Sequence, residues 1–232
     1  MEKTIEISPE VAKAAPHLRV IHVEADVCNG PTSDALWAEI EAEASRIHQS
    51  RPMELVNKQP AIAATRAAYK ALGKEPNRYR PSAEALTRRC VKGIELYRTL
   101  SIIDLTNLLS LVTGHSIGAF DRDHIAGPRL TLGVGREGEP YEAIGRGQLN
   151  IACLPVFRDE VGGVGTPTSD NDRTKLSTAT SHLLMTINLY GPGEHDEEQI
   201  RQLTARLLRD YAAADSIEFA TITAADAAQT PS

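Results

Sequence analysis

The chain has 232 residues, 41% hydrophobic and 24% charged, which is enough apolar sequence to bury a sizeable core. A formal net charge of -6 sets aside a non-specific nucleic-acid coat, and an aromatic content of 4% makes the core aliphatic and leaves few surfaces for stacking bases. The scattered Cys28, Cys90 and Cys153 read as reduced thiols, and neither a leader nor an apolar run of roughly 20 residues is visible, so a cytoplasmic protein away from membranes is expected.

Leu18 to Val27 is rich in Val and Ile and reads as a strand apolar on both faces, as in a sheet interior. Gly30-Pro31 ends it. Thr32 or Ser33 then caps a helix to about His48, with Leu36, Ile40 and Ile47 inward and Trp37 as a core anchor. Gln59 to Leu72 predicts a second helix, closed by Gly73. Ser82, after Pro81, predicts the N-cap of a basic helix that buries Ala83, Leu86 and Cys90, turns Arg88, Arg89 and Lys92 outward, and stops at a left-handed Gly93.

The next helix runs from Ser101, whose spacing to Asp104 is that of a capping box, to Gly114. Leu105, Leu108, Leu109 and Val112 form a stripe, and Ile102, Ile103 and Leu111 make the rest apolar too, so the helix is predicted buried. Its polar residues Thr106 and Asn107 therefore each need a partner or a ligand.

After Phe120 the pattern turns to strands. Arg129 to Val134 and Tyr141 to Ile144 flank Gly135-Arg136-Glu137-Gly138, a hairpin loop by composition. Leu149 to Phe157 and Val161 to Val164 follow, and Gly162, Gly163 and Gly165 permit close backbone approach. A polar loop, Thr166 to Thr174, holds Ser169, Asp170, Asn171, Asp172 and Arg173. Leu183 to Tyr190 reads as a strand, Glu197 to Tyr211 as an amphipathic helix and Ile217 to Ile222 as a last strand, with a fraying tail over 224–232. We expect a single domain over 1–232, with 1–75 as an N-terminal α/β segment packed on it.

The histidines, at 17, 22, 48, 115, 124, 182 and 195, lack metal-ligand spacing and read as surface or capping residues, so no metal and no cofactor is expected. Gly133-x-Gly135 and Gly145-x-Gly147 are too short for a dinucleotide loop, and no Gly-x-Ser-x-Gly elbow is present. What remains is a constellation of Thr106 and Asn107, glycines 145, 147, 162 and 163, and the polar loop with Asp172, Arg173, Thr174 and Lys175. The stretch from Asn77 to Arg98 carries a local charge of +4 against -10 for the remainder, which is either a solvated face or a patch that orients an anion.

Arg78-x-Arg80-Pro81-Ser82-x-Glu84-Ala85-Leu86, Asp104-Leu105-Thr106-Asn107 and Gly118-Ala119-Phe120-Asp121, in that order, resemble the B3/B4 tRNA-binding and editing domain of the phenylalanyl-tRNA synthetase beta chain. Asp172-Arg173-Thr174-Lys175 completes the pattern of its free-standing members, and the likeness covers roughly Arg66 to Tyr190. The resemblance implies an α/β (α+β) protein with a mixed-sheet or β-sandwich-like core flanked by helices. It implies a trans-acting hydrolase that deacylates a mischarged aminoacyl-tRNA, without the aminoacylation module of a complete synthetase. The alternatives are a non-catalytic tRNA-binding module and, more weakly, an amino-acid-binding protein. On this reading Asn107, Thr106, Asp172 and Thr174 are catalytic, and Gly118, Gly145, Gly162, Gly163, Arg173 and Lys175 bind substrate. Arg78, Arg80, Arg88, Arg89 and Lys92 hold the tRNA acceptor end. In the synthetase domain a histidine commonly stands before Ala-Phe-Asp, whereas here that position is Gly118.

Overall fold

The computed structural model describes residues 3–227. Its first half runs β1 (Thr4–Ile7), α1 (Pro9–Ala14), β2 (Arg19–Asp26), α2 (Asp34–Ser50), α3 (Pro60–Ala71), α4 (Ser82–Val91), α5 (Ser101–Thr113) and β3 (Ser116–Asp121). Then come β4 (Arg129–Val134), β5 (Glu142–Ala143), β6 (Gly147–Gln148), β7 (Pro155–Arg158), β8 (Gly163–Gly165), β9 (His182–Leu189), α6 (Glu197–Ala212), β10 (Asp215–Thr223) and α7 (Ala224–Ala227). The strands form two four-stranded sheets, ordered β1-β4-β7-β8 and β10-β2-β9-β3, and a short ribbon of β5 with β6. All pairings are antiparallel except that of β1 with β4.

The period of two along each strand sets the layers of this α+β fold. On β2, Ile21, Val23 and Ala25 point at α2, α5 and α6, packing with Leu36, Ile40, Leu105, Leu109 and Leu207. Val20 points the other way and joins Phe120 and Leu184 against Ile5, Leu130, Leu132 and Phe157 of the first sheet. The second sheet is thus covered on both faces, by helices outside and by the first sheet inside, which is why β2 is buried on both, Val20 sharing its face with buried His22 and Glu24. Among the described residues no helix is long and apolar enough to cross a membrane.

Several local expectations hold. Ser33 Oγ accepts the Leu36 amide at 3.2 Å to cap α2, and Gly93 and Gly114 stop α4 and α5 with φ of 67° and 75°. Others are corrected. Pro81, not Ser82, stands at the cap of α4, because the Ser82 amide donates to Pro167 O at 2.7 Å. The cap of α5 is Leu100, and Asp104 reaches back past Ser101 to accept Thr99 N and Thr99 Oγ1, each at 2.8 Å.

The expected hairpin of β4 with residues 141–144 does not form. β4 lies between β1 and β7, while buried Tyr141 packs beside Tyr69 of α3 and Glu142–Ala143 pairs with β6. Gly135 serves a close approach instead of a turn: its N–H donates to Leu154 O and its carbonyl accepts from Cys153 N, both at 2.8 Å. Of the expected tail, 224–227 form a helical turn with Ala224 buried, and 228–232 lie outside the described residues.

Candidate functional site

A chamber of about 340 Å³ opens between α4, α5, β3 and two loops, at residues 144–146 and 166–176. Helical spacing supplies one wall, since Ile103, Thr106, Asn107 and Ser110 recur at three- and four-residue intervals on one side of α5, as do Ser82 and Leu86 on α4. Ile117 and Ala119 alternate into it from β3, and Thr166, Thr168, Ser169, Asp170 and Lys175 close it from the loop.

Two tyrosines hold that loop in place. Tyr69 Oη lies 2.9 Å from Thr168 Oγ1, and Tyr141 Oη donates to Ser169 O at 2.7 Å. Thr166 Oγ1 accepts Thr168 N and Ser169 N at 3.1 and 3.0 Å. The result carries Asp170 to the chamber floor. Its Oδ2 accepts the Ala119 amide at 3.3 Å, and burial pushes its carboxyl up to about 7 from the usual 3.8. Gly165 makes room for it, since a Cβ there would sit 2.9 Å from Asp170 Oδ1 and 2.5 Å from the Phe120 ring.

Of the polar residues on α5, Thr106 is satisfied within its own helix, its Oγ1 donating to Ile102 O at 2.7 Å. Half-buried Asn107 faces the chamber with its amide unpartnered among the described residues. Lys175 lines the mouth and pairs with Asp172 at 2.9 Å, and exposed Arg146 lines it without an ion pair among the described residues. Gly145, with φ of 68°, sits between the lining residues Ile144 and Arg146.

Gly118 lies between Ile117 and Ala119 but faces away from the chamber. A Cβ at 118 would meet the Phe120 ring at 2.5 Å and Thr186 Oγ1 at 2.9 Å, inside the layer between the sheets. The strand's alternation, not the chamber, dictates glycine here.

The structure gathers Thr106, Asn107, Gly145 and Lys175 at this chamber and holds other sequence candidates apart. Gly162 and Arg173 belong to a knot around the wholly buried carboxylate of Asp159, which accepts Gly162 N at 3.0 Å and Arg173 Nη2 at 2.8 Å. The Gly162 N–H is therefore not free for an oxyanion. Gly163 abuts the Tyr141 ring, and Thr174 is fully buried with Oγ1 unpartnered among the described residues. Asp172 reaches the chamber only through Lys175.

The basic stretch also divides. Arg78, Arg80 and Lys92 are exposed and free of ion pairs among the described residues, whereas Arg88 donates to the buried Glu84 at 2.9 Å and Arg89 to Glu95 O at 2.6 Å. Glu84 also pairs with Arg66 at 2.8 Å, so Arg88 belongs to an internal triad. Two histidines correct the surface reading: His22 is buried beside Glu24, and His115, fully buried after the Gly114 stop, is pushed down to about 4 by burial. Among the described residues no three His, Cys, Asp or Glu side chains converge as metal ligands.

Asp170 is the residue that sequence reasoning passed over. It sat in the polar loop among four other polar neighbours, and the one signal for it was Gly165, whose missing side chain marks a close approach.

A wider groove of about 1050 Å³ runs past Ser8, Pro128 and Arg136, and two of its charged groups are held by partners outside it, Arg158 by Glu139 at 2.6 Å and Asp159 by Arg173 at 2.8 Å. The smaller chamber holds Asp170, a half-buried acid without a cationic partner among the described residues.

Residues 64–210 match the B3/4 domain family. A comparison with curated proteins found no match. Among solved structures, an N-terminal fragment of the phenylalanyl-tRNA synthetase beta-subunit from Pyrococcus horikoshii aligns with 94% of this chain at 12% identity and a TM-score of 0.47. The chain spans about half (51%) of that fragment's length.

Proposed function

The chain belongs to the B3/4 domain family, and from that membership we propose that it is a trans-acting hydrolase that removes the amino acid from a mischarged aminoacyl-tRNA. The observation that carries the reading is the desolvated carboxyl of Asp170 at the floor of a chamber that also presents the Asn107 amide, unpartnered among the described residues. An aminoacyl ester is activated, so positioning, one base and a few hydrogen-bond donors suffice for its hydrolysis.

In this mechanism the amino-acid side chain lies against Ile117, Ala119 and Leu176, and the ester carbonyl faces the α5 wall. Asn107 holds a water, and ionised Asp170 takes its proton as the oxygen attacks the carbonyl carbon. The negative charge that develops on the carbonyl oxygen is met by the Asn107 amide, the Ser110 hydroxyl and the Lys175 ammonium. Collapse of the intermediate breaks the bond to the ribose oxygen, which receives the proton from Asp170, giving free amino acid and uncharged tRNA. Thr106 shapes the wall beside Asn107, and Asp172 steadies Lys175. Position 118 faces the layer between the sheets, so the base comes from the loop.

The acceptor end approaches across Arg78 and Arg80, which precede the chamber residue Ser82 and carry no intramolecular ion pair among the described residues. Those same free cations favour the second reading, a tRNA-binding module without hydrolysis. Purified protein against tRNAs each carrying a different non-cognate amino acid separates the two: release of at least one amino acid supports the hydrolase, and binding without release supports the module.

A further inference from the structure

Tyr97 is 74% exposed, in a chain where aromatic residues are scarce and every other one is buried or half-buried. It lies in the connection between α4 and α5. The guanidinium of Arg89 covers its ring, 4.5 Å from the centroid, and is itself held by the bond from Arg89 Nε to Glu95 O at 2.6 Å. A ring left this open forgoes the burial that normally stabilises an aromatic side chain, while the arginine behind it fixes its plane.

The position of this pair on α4 relates it to the chamber. At 3.6 residues per turn, Ser82, Leu86 and Arg89 fall within a sector of about 60° on α4, and Arg89 lies about 4.5 Å along the axis beyond Leu86. Ser82 and Leu86 line the chamber, so Arg89 continues its wall outward. Ile103, in the first turn of α5, lines the same end, and Tyr97 precedes it by six residues. The aromatic–arginine pair therefore stands just outside the Leu86–Ile103 end.

We propose that Tyr97, backed by Arg89, is a stacking platform for an unpaired nucleobase at the 3′ end of the RNA whose ester enters the chamber. This rests on the hydrolase reading and adds the part of the substrate that the chamber does not hold. A base next to the ester falls within a few ångströms of the esterified carbon, so an ester held at the Leu86–Ile103 end leaves its base beside the pair. The exposed Lys92, one turn beyond Arg89, adds a local positive charge beside the platform on a chain of net charge -6. Stacking on one ring tolerates any base, so the platform reads strandedness and not sequence.

Two fluorescein-labelled RNA hairpins test this, identical except that one ends in an unpaired ACCA and the other is blunt. The wild-type protein binds the overhang hairpin more tightly, Tyr97→Ala lowers that affinity by about tenfold and leaves the blunt hairpin unchanged, and Tyr97→Phe restores it. Equal affinity of Tyr97→Ala and wild type for the overhang hairpin, or equal wild-type affinity for both hairpins, overturns the platform, as does loss with Tyr97→Phe as large as with Tyr97→Ala. An apolar protein-docking role for Tyr97 predicts that same indifference to the overhang. Asp170→Asn, assayed alongside, keeps overhang binding. Failure of the hydrolase reading would appear as absent deacylation by the wild type, whatever the Tyr97 variants do.

Discussion

Asp170 Oδ2 takes a single hydrogen bond, from the Ala119 backbone nitrogen at 3.3 Å, and has no cationic partner among the described residues. One amide does not offset the loss of water around a carboxylate, so the folded state holds this acid protonated up to about 7. Between the unfolded value near 3.8 and about 7, the folded chain binds the extra proton, so stability falls as pH rises through that window and the penalty is complete above it. Asp170→Asn keeps the acceptor for Ala119 and removes the charge. Its melting temperature should exceed that of wild type by a few degrees at pH 8, at roughly 2–4 °C per kcal/mol for a chain of this size, and by much less at pH 4.5. An equal difference at both pH values contradicts the buried acid.

Asn107 separates a chamber role from a structural one. Its amide has no protein partner to lose among the described residues, so Asn107→Ala should change the melting temperature little while lowering single-turnover deacylation by about tenfold or more. tRNA affinity should stay within about twofold. A large fall in melting temperature with normal turnover per folded molecule would remove Asn107 from the site.

Glu84 is fully buried between Arg66 and Arg88, at 2.8 and 2.9 Å. Removing it strands Arg66, which also holds the Asn77 side chain at 2.6 Å and so anchors the stretch that carries Arg78 and Arg80. Glu84→Ala should cost about 3–5 kcal/mol in a denaturant titration. Arg78→Ala with Arg80→Ala should cost less than about 0.5 kcal/mol each yet reduce the salt slope of RNA binding by roughly one per phosphate contact. Unchanged salt dependence in that double variant would make Arg78 and Arg80 a solvated face.

The layers were legible because strand and helix periods are written in residue types. The Val and Ile residues on both faces of β2 announced a covered strand, and the stripe of α5 announced a buried helix. Local chemistry misled where a distant partner overrode it: Asp104 accepts the Thr32 hydroxyl as well as Thr99, and Gly135 met the 151–154 backbone instead of turning a hairpin. The candidate site was half legible. Asn107 stood out as polar on an apolar helix, and Lys175 came with its motif. Asp170 did not, because its character comes from Phe120, Gly165 and two tyrosines far away in sequence. Gly162 failed as a donor for a local reason, its N–H being taken by Asp159 three residues before it.

The most direct measurement is single-turnover deacylation of the panel of mischarged tRNAs, followed from pH 5 to pH 9 for wild type and Asp170→Asn. The account predicts release of at least one amino acid above the uncatalysed loss of the ester, with a rate that rises through about pH 7 as Asp170 ionises and then levels off. Asp170→Asn should bind the same tRNA and lose about a hundredfold or more of that rate. Release by Asp170→Asn equal to wild type across the range, or no release from any tRNA that the folded protein binds, would contradict it.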